Sequence, residues 1–128
     1  MEVVRFWEEG GMTIPKPYRR HIKVVLAKDK RDVPEITLSY VLLHPHSQTD
    51  YHKHDRPELI MILSGRGKSI CDGVETRVEP DVALWVKPGE MHQLINEGED
   101  MLRLATVFTP GYSAEELLGG IMQAARAK

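Results

Sequence analysis

Glycine and proline interrupt this chain so often that its apolar residues fall into short runs, and that restricts the middle of the molecule to short strands. Ten Gly and eight Pro are spread through 128 residues. Lys23–Ala27 reads as a strand, and Ile36–Leu43 as a longer one ended by Pro45. Glu58–Leu63 comes next and is stopped by Gly65 and Gly67. Lys68–Asp72 and Val74–Val78 flank Asp72-Gly73, a dipeptide suited to a tight hairpin turn because Gly tolerates positive φ. Val82–Val86 runs to the Pro88-Gly89 turn, and Gln93–Asn96 and Met101–Phe108 flank the loop Glu97-Gly98-Glu99-Asp100. Short strands at close, even spacing predict an all-β antiparallel sandwich or barrel.

The two ends differ from the middle. Residues 8–18 carry Gly10, Gly11, Pro15 and Pro17 and read as an extended arm. The C-terminus reads as a short α-helix. Ser113 and Glu116 fit a capping box, in which each side chain satisfies a free backbone donor of the first turn. Leu117, Leu118, Ile121, Met122 and Ala125 then share one face, and Arg126 and Lys128 suit the negative end of the helix dipole. Gly119-Gly120 weakens the helix by roughly 1 kcal/mol per Gly. This helix is expected to pack on the outside of the barrel or on a second subunit. The expected organisation is an arm over residues 1–21, packed on or exchanged with a second subunit, a barrel over 22–110, and the helix segment over 111–128.

Composition excludes several classes. Seventeen Lys+Arg against nineteen Asp+Glu leave a net charge of −2, so no global field attracts nucleic acid or an anionic membrane. No apolar run approaches the roughly 18 residues of a spanning helix. The N-terminus shows no charged region followed by an apolar stretch, so no signal peptide is expected and a cytoplasmic location is the simplest reading. A single cysteine, Cys71, excludes an intramolecular disulfide and a multi-cysteine zinc site, and it reads as a small buried hydrophobe.

The chemistry is carried by His52-Lys53-His54, then Glu58, then His92. Residues two apart on a strand point to one face, so His52 and His54 project together. Glu58 has the same parity, although Pro57 intervenes. Two imidazoles and a carboxylate supply neutral nitrogen and anionic oxygen to one divalent ion. His92, just after the Pro88-Gly89 turn, is placed to add a fourth ligand from across a closed barrel. His44-Pro45-His46 lacks a following carboxylate and reads as a loop, with His46 at most reaching the pocket mouth. Lys16, Arg19, Arg20, His21 and Lys23 read as a solvated basic face.

In these residues the chain resembles a small single-domain cupin. The first cupin motif is matched by His52-Lys53-His54, Glu58 and Gly65; the second is matched at Gly89, His92 and Asn96 within Lys87–Asn96. Both motifs in register over about 45 residues form a far more specific signal than a lone His-x-His. Three turn positions depart from the pattern: His46 and Asp81 stand where the motifs open on glycine, and Lys87 where the second has its first proline. The resemblance extends over roughly residues 22–110. It implies a double-stranded β-helix, or jelly-roll, barrel, with His52, His54, Glu58 and His92 binding one divalent transition metal per chain, whether Mn, Fe, Ni, Co, Cu or Zn.

The resemblance further implies a metal-binding cupin, a metalloenzyme acting on a small oxygen-rich metabolite such as a keto acid, sugar, uronate or diketone. The chemistry would be Lewis-acid or dioxygen chemistry, of the kind used by dioxygenases, isomerases, decarboxylases or lyases. The alternative is a non-catalytic module binding a small molecule or sugar, since fold does not fix reaction. Beyond the ligands, Arg103 and Glu90 are candidate catalytic residues: Arg103 from mid-strand as a partner for a substrate carboxylate, Glu90 as an acid at the pocket rim. Asn96 is expected to fix a turn. Cupins of this size imply a homodimer, and the partner is otherwise a small molecule, with neither nucleic acid nor membrane.

Overall fold

A computed structural model describes residues 1–127. Nine strands and one helix occur in order: β1 (Met12–Ile14), β2 (Arg20–Leu26), β3 (Thr37–Leu43), β4 (Glu58–Ser64), β5 (Gly67–Cys71), β6 (Val74–Val78), β7 (Ala83–Val86), β8 (His92–Ile95), β9 (Leu102–Phe108) and α1 (Ala114–Arg126). A single 3-10 turn covers Phe6–Glu8. The strands make a six-stranded sheet in the order β1-β2-β3-β9-β4-β7 and a three-stranded sheet β6-β5-β8. Every pairing is antiparallel. This is the jelly-roll arrangement with one C-terminal helix. The two sheets do not close into one continuous barrel: isolated bridges Gln48↔Ile95 and His52↔His92 join the loop after β3 to β8. No helix of the described residues is long and apolar enough to cross a membrane.

Strand alternation sends one set of side chains between the sheets. On β2 the buried residues are Arg20, Ile22 and Val24, with Val25 also buried at the bulge between Val24 and Leu26. Register lines up Ile22, Val41, Leu104 and Ile62 as one row across β2, β3, β9 and β4. Ile14, Leu43, Ile62 and Leu102 are fully buried, each contributing about 1.5–3 kcal/mol of burial. A backbone crossing sets one glycine and a left-handed turn another. Gly65 takes φ +87°, and a Cβ there would lie 2.6 Å from the Met101 carbonyl oxygen. Gly89 takes φ +84° in the turn before β8. His46 and Asp81, the non-glycine residues at the opening positions of the two motifs, also hold left-handed φ of 57° and 74°. The turn geometry is therefore present without the glycine.

Two expectations need correction. The segment before residue 22 is not all arm: β1 pairs with β2 of the same chain, Met12 opposite Ile22, and β2 begins at Arg20. Three residues are too few to show as a run, and pairing rather than composition makes them a strand. The helix is capped as expected, with Ser113 Oγ accepting from Glu116 N and Glu116 Oε1 accepting from Ser113 N. Its apolar face, however, turns inward. Leu117 and Ile121 line the cavity between the sheets, so α1 lies over the mouth of the jelly roll and not on its outside. The open end exposes apolar side chains, and covering them is what the helix face satisfies. Lys128 lies outside the described residues.

Candidate metal centre

The loop between β3 and β4 brings His52 and His54 to the open end of the sandwich, where β4 begins with Glu58 and β8 with His92. Backbone hydrogen bonds lock His52 to His92: His52 N to His92 O at 3.0 Å and His92 N to His52 O at 2.8 Å. The rings are close in turn, with centroids 4.4 Å apart for His52 and His92, 4.6 Å for His52 and His54, and 5.3 Å for His54 and His92. One ring nitrogen from each of the three lies within 4.8 Å of the others. Glu58, buried, completes the group: its Oε1 is 3.1 Å from His92 Nε2 and 3.8 Å from His54 Nε2. All four residues singled out in the sequence thus converge.

Their hydrogen bonds fit an ion. His52 Nδ1 sits 2.6 Å from the Asp50 carbonyl and His92 Nδ1 2.9 Å from the Glu90 carbonyl. A carbonyl only accepts, so each Nδ1 carries a proton and each Nε2 is the atom turned to the cluster, the way a backbone carbonyl orients a metal-binding histidine. Burial pushes the His52 pKa down and that of His54 down to about 4, which keeps both rings neutral, the form that could bind an ion. Burial also opposes charge on His92, but hydrogen bonds to the Glu58 carboxylate and the Glu90 carbonyl outweigh it and raise its pKa. His92 Nε2 and Glu58 Oε1, 3.1 Å apart, face each other where a cation would satisfy both.

The cavity behind the histidines has a volume of about 70 Å3 and is walled largely by apolar side chains, among them Ile22, Val41, Ile60, Leu94 and Leu104. A wider vestibule of about 490 Å3 lies outside it, between the 50–55 loop and α1. Tyr112 closes one side. Its hydroxyl donates to Asp55, and burial together with that bond raises its pKa to about 12. The Arg56 guanidinium stacks 3.9 Å from the Tyr112 ring centroid and donates to the Gly111 carbonyl at 2.5 Å. The loop carrying two of the histidines is thereby tied to the segment that launches the helix.

The other candidates lie elsewhere. Arg103 is on the outer face of β9, donating to Ser64 Oγ at 2.8 Å and to Tyr40 Oη at 3.0 Å, and does not line the cavity. Glu90 caps its own turn by accepting from Lys87 N at 2.7 Å and faces Cys71. Cys71 is partly exposed where a buried position was expected; it ends β5 at the hairpin, opposite Val74. His46 is exposed and paired with Glu99 at 2.7 Å. Asn96, 1% exposed, bonds the carbonyls of Leu43, His44 and Asp100 and so fixes the chain crossing beneath the site.

Several cavity residues escaped sequence reasoning. Arg20, read as part of a solvated basic face, is 4% exposed and lines the cavity beside Asp50. The available signal was parity: Arg20 alternates with Ile22 and Val24. Ser39, Thr106 and Phe108 also line the cavity; nothing short of strand register distinguishes them.

A family model described as "Cupin domain" matches residues 39–108. No curated protein matches the chain in sequence. Among solved structures, a predicted oxalate decarboxylase from Thermotoga maritima is 23% identical, with TM-score 0.77 over 84% of this chain and 98% of that one. Ectoine synthase from P. lautus is 18% identical, with TM-score 0.76 over 94% and 86%. The polyketide cyclase from Streptomyces resistomycificus is 18% identical, with TM-score 0.75 over 86% and 80%. At these identities the likeness is one of fold.

Proposed function

Because this chain belongs to the cupin domain family, we propose that His52, His54, His92 and Glu58 hold one divalent transition metal and that the protein is a metalloenzyme acting on a small oxygen-rich metabolite. The observation that carries this reading is the geometry of the three imidazoles, which present ring nitrogens within 4.8 Å of one another, with two of the rings oriented by backbone carbonyls. Three nitrogens and one carboxylate oxygen leave coordination positions free on a five- or six-coordinate ion. A bound ion would supply Lewis acidity, or dioxygen chemistry if it is redox-active. The residues around it keep the reacting group dry: Phe108 packs its ring against His54, edge-on, with centroids 4.8 Å apart, and Leu117 and Ile121 cover the mouth. Similar folds that carry enzyme names, as in the cyclase and ectoine synthase, support an enzyme without naming its reaction.

The test is elemental analysis of protein purified without chelators, then titration with Mn, Ni and Zn. One equivalent per chain is expected, and His52→Ala or His92→Ala should lose it together with part of the thermal stability, since metal that binds only the folded chain stabilises it. Uptake of less than about a tenth of an equivalent, unchanged on titration, overturns the metal site. With the site loaded, a thermal-shift screen of acids and sugars separates an enzyme from a binding module: ligands that stabilise the protein without being turned over favour the latter.

A further inference from the structure

Arg20 reaches the inner cavity from β2 with only 4% of its surface exposed, paired with Asp50 but making few hydrogen bonds. A guanidinium carries five N–H donors. Here one hydrogen bond is made, from Nη1 to the Tyr18 carbonyl at 3.1 Å. Asp50 Oδ1 pairs with Nη2 at 3.6 Å, an ion pair longer than a hydrogen bond. A buried guanidinium with one ion pair and one hydrogen bond has donors to spare for a ligand. A second, independent sign lies in the same cavity. Ser39, 1% exposed, has a hydroxyl with no hydrogen-bond partner. It belongs to the inward row Val24–Ser39–Thr106–Ile60.

Charge decides what further partner fits. A divalent ion and Arg20 together bring three positive charges; the Glu58 and Asp50 carboxylates around them bring two negative ones. One negative charge is wanting. At about 70 Å3 the space takes only a few water-sized groups, each needing about 10–15 Å3 by the same measure, and its walls suit a short aliphatic body. We propose that this cavity holds a short monocarboxylate, with Arg20 as its charge partner and the Ser39 hydroxyl as a further hydrogen-bond donor. This deepens the metalloenzyme reading, on which it rests for the wanting charge and for the role of the bound anion as substrate. Without the ion, two carboxylates face one guanidinium and the balance reverses, so the anion is held by the loaded form. Arg20 then sets which substrates enter: acids are held, and neutral analogues of the same shape are not.

The probe is propanoate against its neutral isostere propanamide, titrated by calorimetry or by NMR into wild-type protein, both stripped of metal and loaded with Zn. Propanoate should bind at least about tenfold tighter than propanamide to the Zn-loaded form, the scale of one charge-assisted interaction, and the preference should shrink in the stripped form. Arg20→Gln should abolish that preference while its circular dichroism and metal stoichiometry stay those of wild type. Ser39→Val, a strand-compatible change, should weaken propanoate about threefold or more. Equal binding of the two probes by Zn-loaded wild-type protein overturns the proposal, as does a folded Arg20→Gln that keeps the preference. If Arg20→Gln does not fold, Ser39→Val decides, and unchanged propanoate affinity there counts against it. Zn stoichiometry is read separately: a chain that takes up one equivalent and binds both probes equally loses the anion subsite and keeps the metal reading, whereas one that takes up none loses both.

Discussion

His92 is where the acid–base behaviour of the cluster concentrates. Its pKa is raised by Glu58 and the Glu90 carbonyl against the pull of burial, whereas those of His52 and His54 are lowered. A ligand nitrogen must be free of its proton, so the proton on His92 is the one an ion displaces. Metal affinity, measured by competition with a chromophoric chelator, should therefore fall as pH drops from about 7 to about 5; a flat profile would contradict it. Residue identity also shows at the turns. Asp81 holds φ +74° without a glycine, so Asp81→Gly should raise stability by up to about 1 kcal/mol, the relief of left-handed strain less the added freedom of the unfolded chain, and a clear drop in Tm would refute that account. The clustering of His52, His54, Glu58 and His92 was legible because residue type, alternation and spacing all point one way. Arg20 was not, since five basic residues between Lys16 and Lys23 look alike and only alternation with Ile22 and Val24 distinguishes the inward one. Arg103 shows the same limit from the other side: its neighbours gave parity but not which parity faced inward.

Elements were read more surely than their placement. β6 matches its expected bounds, and β3, β5, β7, β8 and β9 differ by a residue or so, because Gly, Pro and hairpin turns mark their ends. β1 was missed, as three residues have no periodicity to show. The helix was visible through its capping box, yet an apolar face states that something covers it and not what. Its N-terminus is held from a distance: Asp29 Oδ1 accepts from Ala114 N at 2.6 Å and Oδ2 from Glu115 N at 3.2 Å. These bonds, the Ala114 one foremost, lower the Asp29 pKa below 3.8. A depressed carboxyl stabilises the fold above its unfolded value and ceases to as pH falls through the folded one. Asp29→Asn should thus lower Tm by a constant amount from about pH 5 to pH 8, corresponding to about 1 kcal/mol. The difference should shrink below the ordinary aspartate range; one that persists there, in paired thermal melts, would rule the contact out as its source.

For the whole molecule, the jelly roll was legible from punctuation and motif spacing together, while its openness came from the register of separate ladders. Both edges of the large sheet, β1 and β7, end in unpaired strands within the chain, and exposed edges invite pairing. A homodimer is the expected assembly; light scattering should return twice the chain mass, and a monomer mass would refute it. The reciprocal backbone bonds between His52 and His92 carry a further meaning. They are one of only two bridges that tie the loop after β3 to the smaller sheet, among the described residues. An ion seated on those same two histidines would act as a rivet through the seam. Stripping it should let the sandwich gape along that line, so that the amide protons of His52 and His92 exchange with solvent sooner than those of the β3–β9 ladder.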